Sequence, residues 1–275
     1  MVQGVLVLLD ALGSKTIPNE DIENKVRKFD LVDESIKKCI LNLRDDLGRY
    51  NYDNLITSEA IYDNFQVFLP FRNKNPAHVN MTGKNDWYYN LISMGNLVIQ
   101  ILRFSLSHNI PLRGCIASGY GEITNNNRVL GPVADEAAYF YEMADWIGVI
   151  ATNHAGIVLN NKTSLSSNRE WFEPYAKYLV PIKESIYDDS LDAYKIRYTK
   201  RDFWALRWPI QQGYERTESE KFIVITPSNN TEYGNIISNG TLLAVVNTGV
   251  KHKDKSISRK WKNTKDFFDY VIGNQ

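Results

Sequence analysis

The sequence predicts an α/β protein whose core is one β-sheet covered by helices. Val5–Leu9 is a nearly continuous apolar run, which is typical of a strand at the centre of a sheet. Two further apolar runs flank the short turn Tyr62–Asn64 and can pair as a hairpin. Two long segments, Asp21–Gly48 and Trp87–Ser107, repeat their apolar residues with helical spacing. With a fourth strand at Pro111–Ser118, these segments give the order βαββαβ, in which the hairpin introduces antiparallel pairing.

The first strand and the first helix are separated by a polar loop. The loop, Ser14–Asp21, contains Pro18, and the helix then runs from Asp21 to Gly48, since glycine commonly ends helices. The apolar face of this helix consists of Ile22, Val26, Phe29, Ile36, Ile40, Leu43 and Leu47. Spacings of three, four and seven place these residues on one side of the helix.

The hairpin and the second helix follow. Strands at Leu55–Ile61 and Phe65–Leu69 flank a turn that contains Asp and Asn, which tolerate unusual backbone angles. A polar loop at Pro70–Asp86 leads into the helix Trp87–Ser107. The apolar stripe of that helix is formed by Leu91, Met94, Val98, Ile101, Leu102 and Leu106.

The core is predicted to end with one more helix and strand. After the strand Pro111–Ser118 we expect a turn-rich hairpin at Gly119–Asn127. A helix is predicted over Gly131–Asp145, opened by Pro132, because proline is favoured in the first helical turn. The apolar segment Trp146–Thr152 is predicted to be another strand.

The second half of the chain has a different composition. Ser, Asn and Lys cluster at Asn160–Asn168, and the aromatic-rich stretches WFEPYAKYLVP and DFWALRWP follow. The last segment, Ser256–Ile272, has the pattern of an amphipathic helix that packs on the rest of the molecule. We therefore divide the chain into a core, residues 1–155, and a C-terminal extension, residues 156–275, which either completes the sheet or forms a small subdomain.

The composition favours a soluble protein without a nucleic-acid partner. Of 275 residues, 43% are hydrophobic and 12% aromatic, and 32 basic residues balance 32 acidic ones, so no net charge attracts nucleic acid or anionic lipid. Cys39 and Cys115 lie in apolar patterns without a C-x-x-C partner and are expected to be core residues in a reducing compartment. Because no apolar run approaches the ~20 residues of a membrane span and the first strand contains Asp10, we expect a cytoplasmic location.

Two carboxylates stand at predicted strand ends. Asp10 ends the run VLVLLD, just before Gly13, and Asp63 lies in the hairpin turn. Two carboxylates so placed can hold Mg²⁺ against a triphosphate, beside free backbone amides of the first loop.

Three spaced motifs carry a resemblance to a known family. They are D-x-x-G in LLDALGS, the hairpin EAIYDNFQVF, and LRGCIASGYGEI followed by RVLGPVADEAAYFYEMADW. In order and separation they resemble the class III nucleotide cyclase catalytic domain, from Val5 to about Thr152. Four residues fall in register with the third motif: Gly119, Gly131, Ala137 and Glu142. Tyr62 occupies the place of the glycine that usually precedes the second Asp.

The resemblance implies a ferredoxin-like βαββαβ core with a defined site. Asp10 and Asp63 would hold two Mg²⁺ or Mn²⁺ ions. The nucleotide would be bound by the residues Ala11, Leu12, Gly13, Ser14, Lys15, Glu59 and Arg128. The amides of the first five would face the triphosphate, and Glu59 and Arg128 would contact the base. A carboxylate and a guanidinium can together satisfy uracil, cytosine or guanine, and the other interpretation of this pair is an ion pair at a sheet edge.

The sequence departs from the family at the transition-state residues. Asp135 and Tyr139 stand where the family has Asn and Arg, which removes a cation that would stabilise developing phosphate charge. Either another cation substitutes, such as Lys15, Arg113 or a lysine of KHKDKSISRKWK, or the chain is a degenerate nucleotide-binding domain. Alternatively, Arg113 is structural and pairs with a carboxylate near the sheet, and Tyr139 packs with its aromatic neighbours.

A tyrosine at that position also resembles the stand-alone bacterial pyrimidine cyclases of anti-phage signalling systems. LRGCIASG, GPVADEAAYFYE and the later segments VPIK, RWP and KNTKDFF are similar to that branch. This resemblance implies catalytic roles for Arg113, Asp135 and Tyr139, a homodimer with shared active sites, and a cyclic UMP or cyclic CMP product read by a separate effector. The alternatives are a guanylate cyclase, a non-catalytic nucleotide sensor and a palm-type nucleotidyl transferase.

Overall fold

The βαββαβ order is present in the computed structural model of the chain, which describes residues 1–12, 22–48, 57–61, 63–70, 85–161, 174–209 and 239–273. The strands are β1 (Val2–Ala11), β2 (Thr57–Ile61), β3 (Asn64–Pro70), β4 (Leu112–Ile123), β5 (Val129–Leu130), β6 (Gly148–Ala151), β7 (Tyr175–Asp188) and β8 (Ala193–Leu206). The helices are α1 (Ile22–Gly48), α2 (Asn85–Ser107), α3 (Pro132–Phe140), α4 (Asn153–Asn160), α5 (Asn239–Val250) and α6 (Lys255–Gly273). No described helix has the length and apolar character needed to cross a membrane.

The strands form one sheet in the order β2-β3-β1-β4-β6-β8-β7, with β5 paired to β4. Strands β1 to β4 pair with one another in antiparallel fashion, whereas β6 runs parallel to β4. A strand order that places β1 between β3 and β4 is the expected result of a split βαβ arrangement. The predicted α/β class, a central sheet flanked by helices, is therefore confirmed.

The two faces of the sheet differ in their covering. Side chains alternate between the faces along β1, and those of one set, Val5, Val7 and Leu9, are fully buried on the side of α1 and α2. The opposite face is covered by α3 where the Cys115 thiol donates to the carbonyl oxygen of Ala137, 3.2 Å away. Leu8 and Asp10 point to this second face, because Leu8 lies opposite Cys115 in the β1–β4 register.

Cys115 is a buried core residue, as predicted, and burial raises the pKa of its thiol well above the usual value. The side chain of Cys39 lies outside the described residues. A thiol held in its protonated form is a weak nucleophile, so Cys115 contributes packing to the core.

Two predicted boundaries in the third motif are wrong for a physical reason. The predicted hairpin is present as β4 and β5, but its first strand runs beyond the predicted end at Ser118 to Ile123. Its glycines allow close packing, since a Cβ on Gly119 would lie 3.3 Å from Val133 and one on Gly121 would lie 3.0 Å from Val133. These glycines therefore serve helix–sheet contact, where the sequence suggested a turn.

The helix predicted to reach Asp145 ends at Phe140, and the following strand, predicted from Trp146, begins at Gly148. The intervening residues pair with β7: the amide of Asp145 donates to the carbonyl of Pro181, and the amide of Lys183 donates to the carbonyl of Met143. A long-range strand contact thus replaces the last helical turn. The sequence pattern gives no sign of such a contact.

The described parts of the aromatic-rich stretches lie in or directly beside β7 and β8, and β8 joins the sheet through the register pair Ile150 and Ala205. Residues 171–173 lie outside the described residues. The predicted closing helix is confirmed as α6. Its aromatic side chains pack on the end of the sheet, where Phe267 lies edge-on to Trp146 with ring centroids 4.4 Å apart. The Ser/Asn/Lys cluster at 162–168 lies outside the described residues.

Strands β1 and β4 approach each other closely at Gly114. A Cβ at this position would lie 1.9 Å from the carbonyl oxygen of Leu8, a backbone atom that cannot move without disturbing the ladder. We expect Gly114→Ala to lower the free energy of unfolding by about 1–3 kcal/mol or more, as overpacked sites do. Urea-induced unfolding measures this change.

Gly156 in α4 provides the matched control. Its added Cβ would meet only Trp204, at an ordinary 3.7 Å, and alanine is favoured over glycine in a helix by about 1 kcal/mol. We expect Gly156→Ala to leave stability unchanged or to raise it. Equal losses from both variants would contradict the predicted close approach at Gly114.

Candidate active site

Asp10 lies at the end of β1, between β3 and β4. Its register partners are Asn64 and Arg113. The Arg113 guanidinium donates from Nε to Asp10 Oδ2 at 2.9 Å, and Nη2 lies 2.9 Å from the same oxygen. The side chains of Arg113 and Asp10 are only 13% and 14% exposed. The register of β1 and β4 therefore produces a mostly buried ion pair at the strand end.

The chain that follows α3 also contacts Arg113. Nη1 of Arg113 donates to the carbonyl oxygen of Glu142 at 3.1 Å. The Tyr141 hydroxyl donates to the Glu142 carboxylate at 3.0 Å. Burial, then the hydrogen bond to Glu142, raises the pKa of Tyr141 to about 12, so this hydroxyl stays protonated at neutral pH. Arg113 is thus fixed by a carboxylate and a carbonyl, which agrees with the interpretation that it pairs with a carboxylate near the sheet.

Asp63 is brought to the same strand end by the β2–β3 turn. The amide of Ala11 donates to the Asp63 carbonyl at 2.9 Å, and Asn64 Nδ2 lies 3.2 Å from Asp63 Oδ1. Asp63 is also close enough for its charge to raise the pKa of Asp10. Two carboxylates that are far apart in the sequence therefore meet at one edge of the molecule.

The pKa of Asp10 is raised above its ordinary value of 3.8. Burial is the largest cause, the charge and hydrogen bond of Arg113 oppose it, and the charges of Asp63 and Glu142 add to it. Because the folded chain holds this proton more tightly than the unfolded chain, the contribution of Asp10 to stability falls as the pH rises from 3.8 through its raised pKa. A cation bound here would favour the ionised carboxylate and reverse that effect.

The backbone amides that were predicted to face a triphosphate are only partly described. The amide of Ala11 donates to the Asp63 carbonyl and that of Leu12 donates to the Pro111 carbonyl at 2.8 Å, so both are already used within the fold. Gly13, Ser14 and Lys15 lie outside the described residues. Contact between backbone amides and a triphosphate therefore stays a prediction for Gly13, Ser14 and Lys15.

Glu59 and Arg128, the predicted base-contacting residues, are brought together. Arg128 Nε lies 3.0 Å from Oε1 and 3.2 Å from Oε2 of Glu59. Glu59 is opposite Gln66, which is opposite Leu8, so Glu59 projects from the same sheet face as Asp10. The Gln66 amide reaches the carbonyl of Val129 at 3.5 Å, which shows that the β4–β5 turn folds back over β3. The ion pair thus stands on the Asp10 face, two strands away from β1.

Asp135 and Tyr139 point away from this site. They lie on α3 opposite the buried residues Val133 and Ala137, and Tyr139 is 70% exposed. The Tyr139 ring makes an edge contact with Phe140, with centroids 5.2 Å apart. The exposed position of both side chains leaves them free to contact another molecule.

Two groups near Asp10 were not assigned a role from the sequence. Glu142 was recognised as part of the third motif, but its contacts depend on the turn after α3. Lys260 of α6 was only one of several lysines in a basic segment. Its charge interacts with those of both Arg113 and Asp10. Only the packing of α6 distinguishes it from its neighbours.

The donor set fits a magnesium-type ion that is shared with a phosphate ligand. Mg²⁺ is commonly held by one or two carboxylates, with the remaining positions filled by phosphate oxygens and water. Asp10 and Asp63 supply two hard oxygen donors at one edge. Within the described residues, no group of three or more His, Cys, Asp or Glu side chains converges on a point, so no enclosed all-protein metal site is described.

No family model matches the chain, and no curated protein matches it. Among solved structures, the chain is similar to the catalytic core of a rhodopsin-guanylyl cyclase with converted specificity, in complex with ATPalphaS, at 9% identity over 74% of this chain and 97% of that chain, with a TM-score of 0.39. It is similar to the guanylyl cyclase Cya2 at 8% identity over 74% and 91%, with a TM-score of 0.40.

A further similar structure is a class III adenylyl cyclase-like ATP-binding protein from Pseudomonas aeruginosa. The identity is 12% over 62% of this chain and 38% of that chain, and the TM-score is 0.41. Identities of 8–12% with TM-scores of 0.39–0.41 are too low to assign an activity, a substrate or a partner.

The contribution of Arg113 to the Asp10 environment can be measured directly. We expect Arg113→Met to raise the pKa of Asp10 further, because the guanidinium charge and its hydrogen bond lower that pKa. A carboxyl carbon titration by NMR gives this pKa. Arg128→Met is the control, since Arg128 pairs with Glu59 and is not among the groups that act on Asp10. An unchanged or lowered Asp10 pKa in Arg113→Met would contradict the observed pairing.

Proposed function

We propose that the chain is a nucleotide cyclase that converts a pyrimidine nucleoside triphosphate, UTP or CTP, to its 3′,5′-cyclic monophosphate and pyrophosphate. The observation that carries this proposal is the meeting of Asp10 and Asp63 at one strand edge. These are the two residues that the cyclase-like motifs single out as metal ligands. The reaction is inferred from the motif resemblance, and the triphosphate would bind at the strand edge that carries both aspartates.

The reaction requires a charged substrate to be held in one conformation. A bond forms between the ribose 3′ oxygen and the α-phosphorus, and the bond from that phosphorus to the bridging oxygen of pyrophosphate breaks. The 3′ hydroxyl loses its proton to solvent or a nearby base, and pyrophosphate leaves with the electron pair. When bound, two Mg²⁺ or Mn²⁺ ions would lower the pKa of the hydroxyl and neutralise charge on the leaving group.

The protein side chains have separate tasks in this proposal. Asp10 and Asp63 would hold the ions, and the bond from the Ala11 amide to the Asp63 carbonyl keeps the hairpin turn beside the end of β1. Arg113, which pairs with Asp10, would donate hydrogen bonds to a phosphate oxygen once Asp10 has a cation as its partner. The amides of Gly13–Lys15 would bind the remaining phosphate oxygens.

Glu59 and Arg128 would bind the base. The carboxylate accepts from a ring N–H or an exocyclic amine, and the guanidinium donates to ring carbonyls. Uracil, cytosine and guanine each present such groups, so a guanine substrate is the competing assignment. The ion pair between Glu59 and Arg128 keeps an acceptor and donors side by side before a ligand arrives.

Asp135 and Tyr139 would act on the site of a second copy. Both side chains face outward on α3, so they complete a site only on a neighbouring molecule. This arrangement supports the proposal of a homodimer in which each active site combines the aspartates of one copy with α3 of the other.

We further propose that the product acts as a second messenger in cytoplasmic anti-phage defence and is read by a separate effector. Support comes from the segments VPIK, RWP and KNTKDFF, which resemble the pyrimidine cyclase branch. They lie in β7, directly after β8 and in α6, and Trp208 and Phe268 are in edge contact with centroids 6.0 Å apart.

The competing function is a nucleotide sensor without turnover. The observation that favours it is the engagement of Asp10 by Arg113, together with Tyr139 in the place of the family's transition-state Arg. Such a protein would bind a triphosphate tightly and release it unchanged.

A product assay tests the proposal. We expect purified protein with Mn²⁺ to form a cyclic monophosphate from UTP or CTP, detected by mass spectrometry. Because Asp10 and Asp63 would carry the cations, Asp10→Asn and Asp63→Asn are each expected to reduce turnover by about 100-fold or more. The exposed helix carboxylate Asp269, paired with Lys265, provides the control variant Asp269→Asn, which should retain full turnover.

The other outcomes of this assay are informative. A cyclic purine product would reassign the substrate, linear or intermolecular products would indicate a nucleotidyl transferase, and binding without any product would establish the sensor. No cyclic product from any of the four triphosphates would refute the cyclase proposal.

Mixing inactive variants tests the shared site. If α3 acts on the partner, a dimer of one Asp10→Asn copy and one Tyr139→Ala copy contains one site with both substitutions and one with neither. We expect each variant alone to be inactive or strongly impaired. A refolded equimolar mixture should recover about a quarter of native turnover, since half of its dimers are mixed and carry one intact site. A mixture with only the summed activity of its two parents would show that Tyr139 does not act in trans.

A further inference from the structure

The C-terminal helix is fixed firmly to the chain that enters β6. Arg259 Nε lies 2.6 Å from Asp145 Oδ2, and Asn263 Nδ2 donates to the Asp145 carbonyl at 2.7 Å. The amide of Ile147 donates to Thr264 Oγ1 at 2.9 Å, and Thr264 is fully buried. Asp145 is itself only 3% exposed, so these bonds hold α6 in one position against the segment 145–147.

This attachment brings Lys260 to the Asp10 site. The segment 145–147 leads into Gly148, which is the register partner of Arg113, and Arg113 is in turn the partner of Asp10. Lys260 lies one turn before Thr264 on the same side of α6. The face of α6 that carries Lys260 therefore packs against the segment that leads to the ends of β4 and β1.

The electrostatics agree with this placement. Burial lowers the pKa of Lys260, the charge of Arg113 lowers it further, and the charges of Asp145 and Asp10 raise it. Lys260 is thus a half-buried ammonium that lies within the field of the Asp10–Arg113 pair. Lys262, two residues along the helix, is exposed.

The neighbouring carboxylates already have partners. Asp10 is paired with Arg113, and Asp145 with Arg259. Within the described part of the chain, the Lys260 ammonium makes no hydrogen bond or ion pair at contact distance. A half-buried ammonium gains from a bound anion, which supplies the acceptors that the protein does not.

We propose that Lys260 binds the polyphosphate of the substrate at the Asp10 site, so that the C-terminal helix supplies the cation that Tyr139 does not supply on α3. The identity of the anion as a nucleoside triphosphate rests on the proposed function. The binding of an anion by Lys260 near Asp10 does not rest on the proposed function. Lys260 would contact the β- and γ-phosphates, which depart as pyrophosphate.

Pyrophosphate is the probe that separates the two proposals. Titration calorimetry with Mg²⁺ at fixed ionic strength should show that Lys260→Met weakens pyrophosphate binding by about 10-fold or more, the usual loss for a hydrogen bond to a charged group. Methionine retains most of the aliphatic stem, so packing is largely conserved. Lys260→Arg should retain most of the affinity, and Lys262→Met should bind as the native chain does. Uridine monophosphate, which lacks the β- and γ-phosphates, should bind Lys260→Met and native protein equally.

The outcomes are distinguishable. Native affinity for pyrophosphate in Lys260→Met, or equal losses in Lys260→Met and Lys262→Met, would overturn the role of Lys260. A thermal unfolding curve for each variant excludes misfolding, and Lys260→Arg provides a folded reference if Lys260→Met is unstable. Pyrophosphate binding that depends on Lys260, in a protein that forms no cyclic product, would refute the cyclase proposal and uphold this one. A native chain that binds no pyrophosphate would refute the role of Lys260 whatever its turnover.

Discussion

The register of β1 against β4 places Asp10 opposite Arg113, and the arrangement of the site depends on this pair. Asp10 is the polar residue that follows the buried apolar part of β1. Its charge therefore needs a partner at the edge of the core. Arg113 provides it and reaches on to the Glu142 carbonyl. A shift of one residue in register would turn Asp10 towards the apolar face beneath α1 and α2 and away from Arg113.

The C-terminal half depends on a second buried charge. Asp145 receives Arg259 and Asn263 from α6, and its amide bonds to β7, so one residue joins the core, the β7–β8 hairpin and the last helix. The hairpin itself is linked to β6 by a single register pair. Packing of Trp146 against Tyr178 and Phe267 adds apolar burial at the same place. Because the end of the chain returns to the entry of β6, a residue near position 260 can lie beside a residue near position 10.

Strong periodicity explains which elements the sequence predicts. Strand β1, helices α1, α2 and α6 and the β2–β3 hairpin follow from apolar spacing, and the meeting of Asp10 with Asp63 follows from pairing a central strand with that hairpin. Helices α4 and α5 were not predicted, because each is short and has a weak apolar pattern. The early end of α3 was missed because it depends on bonds between residues 143–145 and 181–183. Lys260 could not be distinguished from its neighbours for the same reason: its position is set by a contact between residues far apart in the sequence.

The Asp10–Arg113 pair also bears on how a ligand enters the site. Burial is the largest cause of the raised pKa of Asp10, so it makes the carboxylate easier to protonate, and a protonated carboxyl is a poor ligand for a hard cation. Arg113 opposes that shift and so keeps the carboxylate closer to its ionised form. In the proposed function, Asp10 would hold a cation and Arg113 would turn towards a phosphate of the substrate. Each of the two charges would then keep a partner, which would limit the cost of breaking a buried pair. Lys260 would make this exchange more favourable, because its positive charge repels that of Arg113 and attracts the same anion.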